Sequence, residues 1–255
     1  MWPDVVDLRE FYETRRGQVA RHMVRRAVRS VWPDVTGQRL LGLGFAAPYL
    51  RQFMGESERV LAFMPASQGV MHWPAEGPGL ASLVEETDLP LPDYAVDRVL
   101  LVHGLENADS LRGLLREIWR VLTGDGRLLV VVPNRRGIWA RSDRTPLGWG
   151  HPYSAAQLSR VLRDNMFTPT RTERALYVPP IDNYTFLRSA PAWERMGVRF
   201  FPTFSGVVMI ESGKQLYAGS LKPAKQRRRL GRPVVVSLPQ AAGRLHHRET
   251  PDGRR

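Results

Sequence analysis

The run Leu40-Leu41-Gly42-Leu43-Gly44-Phe45-Ala46-Ala47-Pro48-Tyr49-Leu50 constrains this chain more than any other stretch. Arg39 to Leu43 forms a short, mostly apolar segment, too brief to be a helix of its own. Gly42 and Gly44 allow backbone angles or close approaches that a side chain would block. Pro48 suits the first position of a helix, where its missing N–H costs nothing. Together these residues read as a buried strand, a tight glycine turn and the first turn of a helix. Such a turn aims free backbone N–H groups and a positive dipole end at a ligand. An ordinary β–turn–α connection has the same signature, so the rest of the chain has to decide between them.

The downstream pattern repeats the alternation. Arg59–Met64, Leu80–Val84, Arg98–His103 and Arg127–Val132 read as strands two to five. Tyr49–Met54 is a short helix, and Ser110–Leu122 carries an apolar stripe at helical spacing, closed by Thr123-Gly124-Asp125-Gly126. Ser154 is the N-cap of a helix reaching Asn165. Thr170–Val178 and Gly206–Ile210 read as further strands, with Lys214–Tyr217 extending the second as a hairpin. Thr185–Met196 is an amphipathic segment. Ahead of all this, Val5–Ser30 is helical, with Gly17 as a break and arginines 15, 16, 21, 25, 26 and 29 on a solvated face. Alternating strands and helices imply βαβ units and an α/β fold: a Rossmann-like, doubly wound, seven-stranded, mostly parallel sheet. Sheets of this kind bind ligands beyond the carboxyl ends of their strands, here 44–48, 64–66, 85–89, 103–107 and 133–135.

At 255 residues, with 43% hydrophobic residues, the chain suits one large domain or one domain with appendages. The expected division is a helical cap over 1–37, the α/β domain over 38–220 with a lid-like insertion at 179–203, and a basic, disordered tail over 221–255. Lys222–Arg255 holds ten Lys and Arg against two Asp and Glu, a net of +8 out of the total +12. The remainder, 27 basic and 23 acidic residues, is only mildly basic. Nucleic acid is therefore a partner through the tail at most, because the body lacks a basic stripe interleaved with aromatics. No apolar run is long enough for a transmembrane segment. The N-terminus lacks a secretory pattern. The absence of cysteine excludes disulfides and thiol catalysis and fits a cytoplasmic location.

Asp97-Arg98-Val99-Leu100, Leu105-Glu106-Asn107, Leu115-Arg116-Glu117-Ile118-Trp119-Arg120-Val121-Leu122 and Gly124-Asp125-Gly126-Arg127-Leu128 follow one another at a spacing that resembles the class I S-adenosylmethionine-dependent methyltransferases, in their type-11 group. Leu89-Pro90-Leu91-Pro92-Asp93 resembles that family's Leu-Pro-Phe loop, and Val207–Lys214 its last, antiparallel strand. Leu41–Leu50 and Val132–Arg141 are similar to a proteobacterial subgroup with a divergent glycine loop. The resemblance implies S-adenosylmethionine as cofactor, with Gly42, Gly44, Phe45, Ala46, Met64, Pro65, Glu85, Asp88, Leu89 and His103 around it. It also marks departures. The glycine-loop aspartate is Gly42, and the acid that bonds the ribose is Met64. A lost charge-assisted bond of that kind is worth about 1.5–3 kcal/mol.

Methyl transfer from a sulfonium needs mainly alignment with the acceptor. A base is required only where the acceptor must lose a proton. His103 and His151 are the candidate catalytic residues, with Tyr12, Tyr153 and Tyr184 as orienting groups. His103 reads equally as a satisfied core histidine, and His151 as a turn residue. No spacing of His, Asp or Glu argues for a metal. The expected function is methyl transfer to a small-molecule acceptor. The alternatives are a methyltransferase-like binding or regulatory module without turnover, an RNA methyltransferase, and a dinucleotide oxidoreductase, which the Asp97–Leu128 pattern disfavours. Neither the acceptor nor the oligomeric state is written in the sequence.

Overall fold

The computed structural model describes residues 4–181 and 188–216. The expected tail, Tyr184, Tyr217 and the start of the 185–196 segment lie outside the described residues.

Two helices open the chain, α1 (Val5–Glu13) and α2 (Arg15–Val31). Thr14 joins them: it ends α1 and caps α2, its side chain accepting the Gly17 N–H. The break therefore falls three residues before the expected Gly17. Gly17 is still needed there, because a Cβ would press into the Phe11 carbonyl and the Tyr12 Cα across the corner. The sheet consists of β1 (Arg39–Gly44), β2 (Arg59–Pro65), β3 (Ala81–Val84), β4 (Val96–Val102), β5 (Leu122–Pro133), β6 (Phe167–Ala175) and β7 (Val207–Lys214). Between them stand α3 (Ala47–Leu50), α4 (Leu111–Val121), α5 (Ala155–Asp164) and α6 (Ala190–Phe200).

The strand order is β3-β2-β1-β4-β5-β7-β6. β1 to β5 are parallel, and β7 runs antiparallel between β5 and β6. The seven-stranded, mostly parallel sheet with an antiparallel last strand is the expected architecture. Several boundaries moved. β5 starts at Leu122, immediately after α4, so the glycine-containing 123–126 stretch is strand rather than a separate stop. β6 begins three residues earlier than expected, at Phe167. Lys214 ends β7, which pairs antiparallel with β6 across a long connection rather than with a following hairpin strand. The 49–54 helix is a single α-turn, α3, continued by a 3₁₀ turn over Arg51–Phe53.

Alternation along the central strands divides the core between the two sheet faces. Leu40, Leu100, Val102, Leu129 and Val131 face one layer with α1, α2 and α3. Leu41, Leu43, Val99, Leu101, Leu128 and Val130 face the other, with Leu115 and Ile118 of α4 and Leu158 and Leu162 of α5. Each fully buried leucine contributes about 1.5–3 kcal/mol. α5 is fixed by a capping box in which Ser154 and Gln157 satisfy each other's backbone N–H groups. The close approach of α3 to β1 explains Gly42: a Cβ there would lie 2.8 Å from the Ala46 Cβ and against the Leu50 side chain.

Candidate functional site

The carboxyl ends of β2, β1 and β4 are adjacent, and β3 flanks β2. This places Met64 and Pro65, Gly44 to Ala46, His103 and Glu85 along one edge of the sheet. Gly44 has φ +71°, and a Cβ on it would run into the Val102 carbonyl and the Gly104 backbone. Its glycine character thus lets the loop close against the end of β4, where Phe45 N–H donates to the Val102 carbonyl at 2.8 Å. Beyond that bond, the N–H groups of Ala46 and Ala47 have no partner among the described residues. Both residues are buried.

α1 reaches over this edge. Its apolar stripe, Val5, Leu8, Phe11 and Tyr12, faces inward, and the Val5 N–H donates to the Gln68 carbonyl at 2.7 Å. The Tyr12 ring stacks on Phe45 with centroids 5.6 Å apart and an interplanar angle of 11°. Its hydroxyl accepts from Tyr49 Oη at 3.0 Å and meets His103 Nε2 at 2.7 Å. His103 Nδ1 lies 3.1 Å from Glu106 Oε1. A carboxylate only accepts, so Nδ1 carries the ring proton and Nε2 accepts from Tyr12. The result is a directed chain from Tyr49 through Tyr12 and His103 to Glu106, all buried. Glu106 Oε2 has no partner among the described residues. Burial, followed by the neighbouring Tyr49 hydroxyl, holds the Tyr12 phenol well above its ordinary range, and burial does the same for Tyr49. His103 itself has φ +51°, an uncommon backbone for a non-glycine residue, and its carbonyl is held by the Gln68 and Asn107 amides.

The other expected site residues separate into two groups. Met64 is buried, and its sulfur receives the Met71 N–H at 3.4 Å, so no carboxylate stands at the end of β2. Pro65 is buried beside it and its carbonyl accepts from Gln68 and Gly69. Leu89 is buried, with its N–H on Glu117 and its carbonyl on Arg120. Glu85 and Asp88 are exposed and form an isolated bridge. Glu86, beside them, is buried and accepts the Ser110 N–H at 2.8 Å at the start of α4. Burial raises its carboxyl above the usual range. His151 is placed elsewhere. Its N–H donates to the Glu106 carbonyl at 2.9 Å, but its side chain lines a cavity of about 600 Å³ with Arg135, Tyr153 and Arg160. That cavity shares no lining residue with the recess at Phe45. Tyr153 is half-buried there, and burial, then Glu106, raises its phenol. Among the described residues no cluster of His, Asp and Glu could hold a metal. No helix of the described residues is long and apolar enough to cross a membrane.

Sequence reasoning named Tyr12 and His103 but did not connect them, and it missed Tyr49 and Gln68. The three-residue spacing from His103 to Glu106 at a strand end was the available signal.

The strand order, the loop at the β1–β4 crossing and its free N–H groups narrow the relatives. Residues 41–130 match the family described as methyltransferase domain. The matched region runs from β1 into β5 and holds the loop, His103 and Glu106. No curated protein matches the chain by sequence. Solved structures with similar folds include a SAM-dependent methyltransferase from Thermotoga maritima, at 15% identity and TM-score 0.58, covering 83% of this chain and 96% of that one. A SAM-dependent methyltransferase from Aquifex aeolicus is 14% identical, with TM-score 0.51 and coverages of 82% and 97%. One from Mesorhizobium loti is 15% identical, with TM-score 0.51 and coverages of 74% and 96%. The fold is that of the S-adenosylmethionine-dependent methyltransferases.

Proposed function

We propose that the protein is an S-adenosylmethionine-dependent methyltransferase acting on a small-molecule acceptor. The observation that carries this reading is the pair of unpartnered, buried N–H groups at Ala46 and Ala47, beside a recess of about 420 Å³ at the end of β1. That volume lies in the ordinary range for small-ligand sites, roughly 300–1,000 Å³. Two free amides suit the cofactor's carboxylate, and Phe45, which lines the recess, supplies an apolar wall. Glu85 is exposed and free to accept from the adenine amino group, with Asp88 and Leu89 next to it. The ribose has no acid at Met64, and Gly42 has no room for one. At that place the Pro65 carbonyl and the Ala66 N–H are already bonded, which leaves the Ala66 carbonyl to accept from the ribose, so the residues fit the cofactor but hold it weakly.

Bound there, S-adenosylmethionine supplies an activated methyl group. The chain's own contribution is alignment and proton handling. Tyr12 borders the recess, and its hydroxyl leads through His103 to Glu106. A proton released by an acceptor at Tyr12 has a hydrogen-bonded path to a buried carboxylate. In this reading residues 1–37 cap the site and 179–203 form a lid-like insertion of the 38–220 domain.

Calorimetry with S-adenosylmethionine and S-adenosylhomocysteine tests the proposal. Both should bind with dissociation constants in the micromolar to sub-millimolar range, about −8 to −4 kcal/mol. No heat from either ligand at millimolar concentration refutes it. A second reading, a cofactor-binding regulatory module without turnover, is favoured by the missing carboxylate at Met64. Binding without methyl transfer to any acceptor in a broad panel would select it.

A further inference from the structure

The recess at Phe45 continues into a strongly cationic one. Arg21 and Arg25 sit one turn apart on α2, and Arg51 follows α3. They line one cavity of about 450 Å³ with His72, over a floor that includes Pro48 and Trp73. This cavity and the Tyr12–Phe45 recess share Arg21, Pro48 and His72, so they form one depression. Among the described residues Arg9, Arg29, Arg39, Arg120 and Arg171 each pair with a carboxylate. Among the described residues Arg21, Arg25 and Arg51 pair with no carboxylate; no acidic residue lines the cavity they share, and Glu13, in the adjoining recess, is paired with Arg9. The positive charge of Arg21 reaches inward to the Tyr12 and Tyr49 hydroxyls.

Three unpaired guanidinium groups over one concavity repel each other, and an anion placed between them removes that repulsion. A single carboxylate matches one guanidinium fork. A phosphate offers three terminal oxygens and up to two charges, enough for all three. The apolar floor displaces water and strengthens such contacts. Because the cationic region is one concave depression rather than a stripe, it suits one anionic group on a compact molecule, not a running nucleic-acid backbone.

We propose that this depression binds a phosphorylated small-molecule acceptor. Its phosphate sits among Arg21, Arg25 and Arg51, its apolar body lies on Pro48 and Trp73, and its reacting group reaches Tyr12. The inference deepens the methyltransferase reading and rests on it for the word acceptor.

The test is calorimetry on the full chain at low salt, with phenyl phosphate and benzoate as probes and S-adenosylhomocysteine in parallel. Phenyl phosphate should bind at least about tenfold more tightly than benzoate, a difference of ~1.4 kcal/mol. Arg25→Ala and Arg51→Ala should each weaken phenyl phosphate about tenfold or more, leaving S-adenosylhomocysteine affinity and the melting temperature unchanged. Both side chains are exposed, so folding is not at stake. Absence of phenyl phosphate binding in a protein that binds S-adenosylhomocysteine overturns the inference alone. So does competition between the two ligands, which would make the arginine-lined part of the depression the cofactor's own, or tighter binding of a single-stranded oligonucleotide through the same arginines. Arginine-dependent phenyl phosphate binding without any S-adenosylhomocysteine binding supports the anion site and instead removes the methyltransferase reading.

Discussion

Replacing Tyr12 by Phe isolates one hydroxyl at the centre of the buried chain. The ring and its stack on Phe45 remain, so packing is preserved. What disappears is the acceptor for Tyr49 Oη, at 3.0 Å, and the donor to His103 Nε2, at 2.7 Å. Both groups are buried, and neither has another partner among the described residues for that atom. A buried polar group left unsatisfied costs about 1–3 kcal/mol. Two of them give an expected destabilisation of roughly 2–4 kcal/mol after local relaxation. Tyr49→Phe is a different case. Tyr12 Oη loses one incoming bond but keeps His103, so the expected cost is about 1 kcal/mol. In the double variant the Tyr49 hydroxyl is gone and cannot be orphaned. The double variant should then be less destabilised than the sum of the two singles, by about 1–2 kcal/mol. Urea unfolding with an unchanged m-value measures all three. By heat, Tyr12→Phe should lower the melting temperature by roughly 4–16 °C at this chain length. An additive cycle, or a larger loss from Tyr49→Phe than from Tyr12→Phe, refutes the directed chain.

Gly17→Ala should destabilise by about 3 kcal/mol in thermal or urea unfolding, because its Cβ has nowhere to go between Phe11 and Tyr12; a neutral result would mean the α1–α2 corner is mobile. Asp97 is held below its usual range first by its hydrogen bond from Arg39, so it stabilises the fold above pH 3.8 and loses that effect as pH falls through its folded value. The pair is partly exposed and its effect small, so Asp97→Asn should cost modestly at pH 7 and progressively less as pH falls below 3.8, read from melting temperatures across that range. Glu86 has the opposite sign: burial raises its folded value above 4.5, so its ionisation opposes folding as pH rises through that window. Glu86→Gln keeps an acceptor for the Ser110 N–H and should match the parent below pH 4.5 and exceed it in stability at pH 7; parity at both pH values would contradict the burial.

The strand cores were legible because their residues leave little choice. Leu40–Gly44 and Val99–Val102 are buried on both sides of a parallel sheet, and such strands read as continuous apolar runs. Element ends were less legible where two signals overlap. Thr123-Gly124-Asp125-Gly126 has turn composition, yet Lys214 Nζ on the Leu122 carbonyl and pairing of Leu122 with Val96 draw the stretch into β5. The break between the first two helices went to Thr14 rather than Gly17, since a threonine hydroxyl can accept an unpaired helix N–H and glycine has no side chain to do so. At the site, the glycine loop and His103 were visible as residue types at strand ends. The link from His103 to Tyr12 spans 91 positions and depends on how α1 docks, which no local pattern encodes. Tyr49 was hidden for a similar reason: in sequence it is one more apolar residue of a short helix, and only the docked α1 gives its hydroxyl a partner.

The place of β7 has a consequence for how the chain is made. β6 is the outermost strand on its side, and its neighbour in the sheet is β7, which is synthesised about thirty residues later. While a ribosome is still translating residues 176–206, β1 to β5 can already assemble, but β6 has no edge to join. During that interval β5 presents Leu128–Val132 as an open, apolar border, the kind of edge that captures a neighbouring chain. The nascent protein thus exposes an unpaired apolar edge until residues 207–214 arrive. A release or pause before residue 207 would leave that border without the strand that closes it.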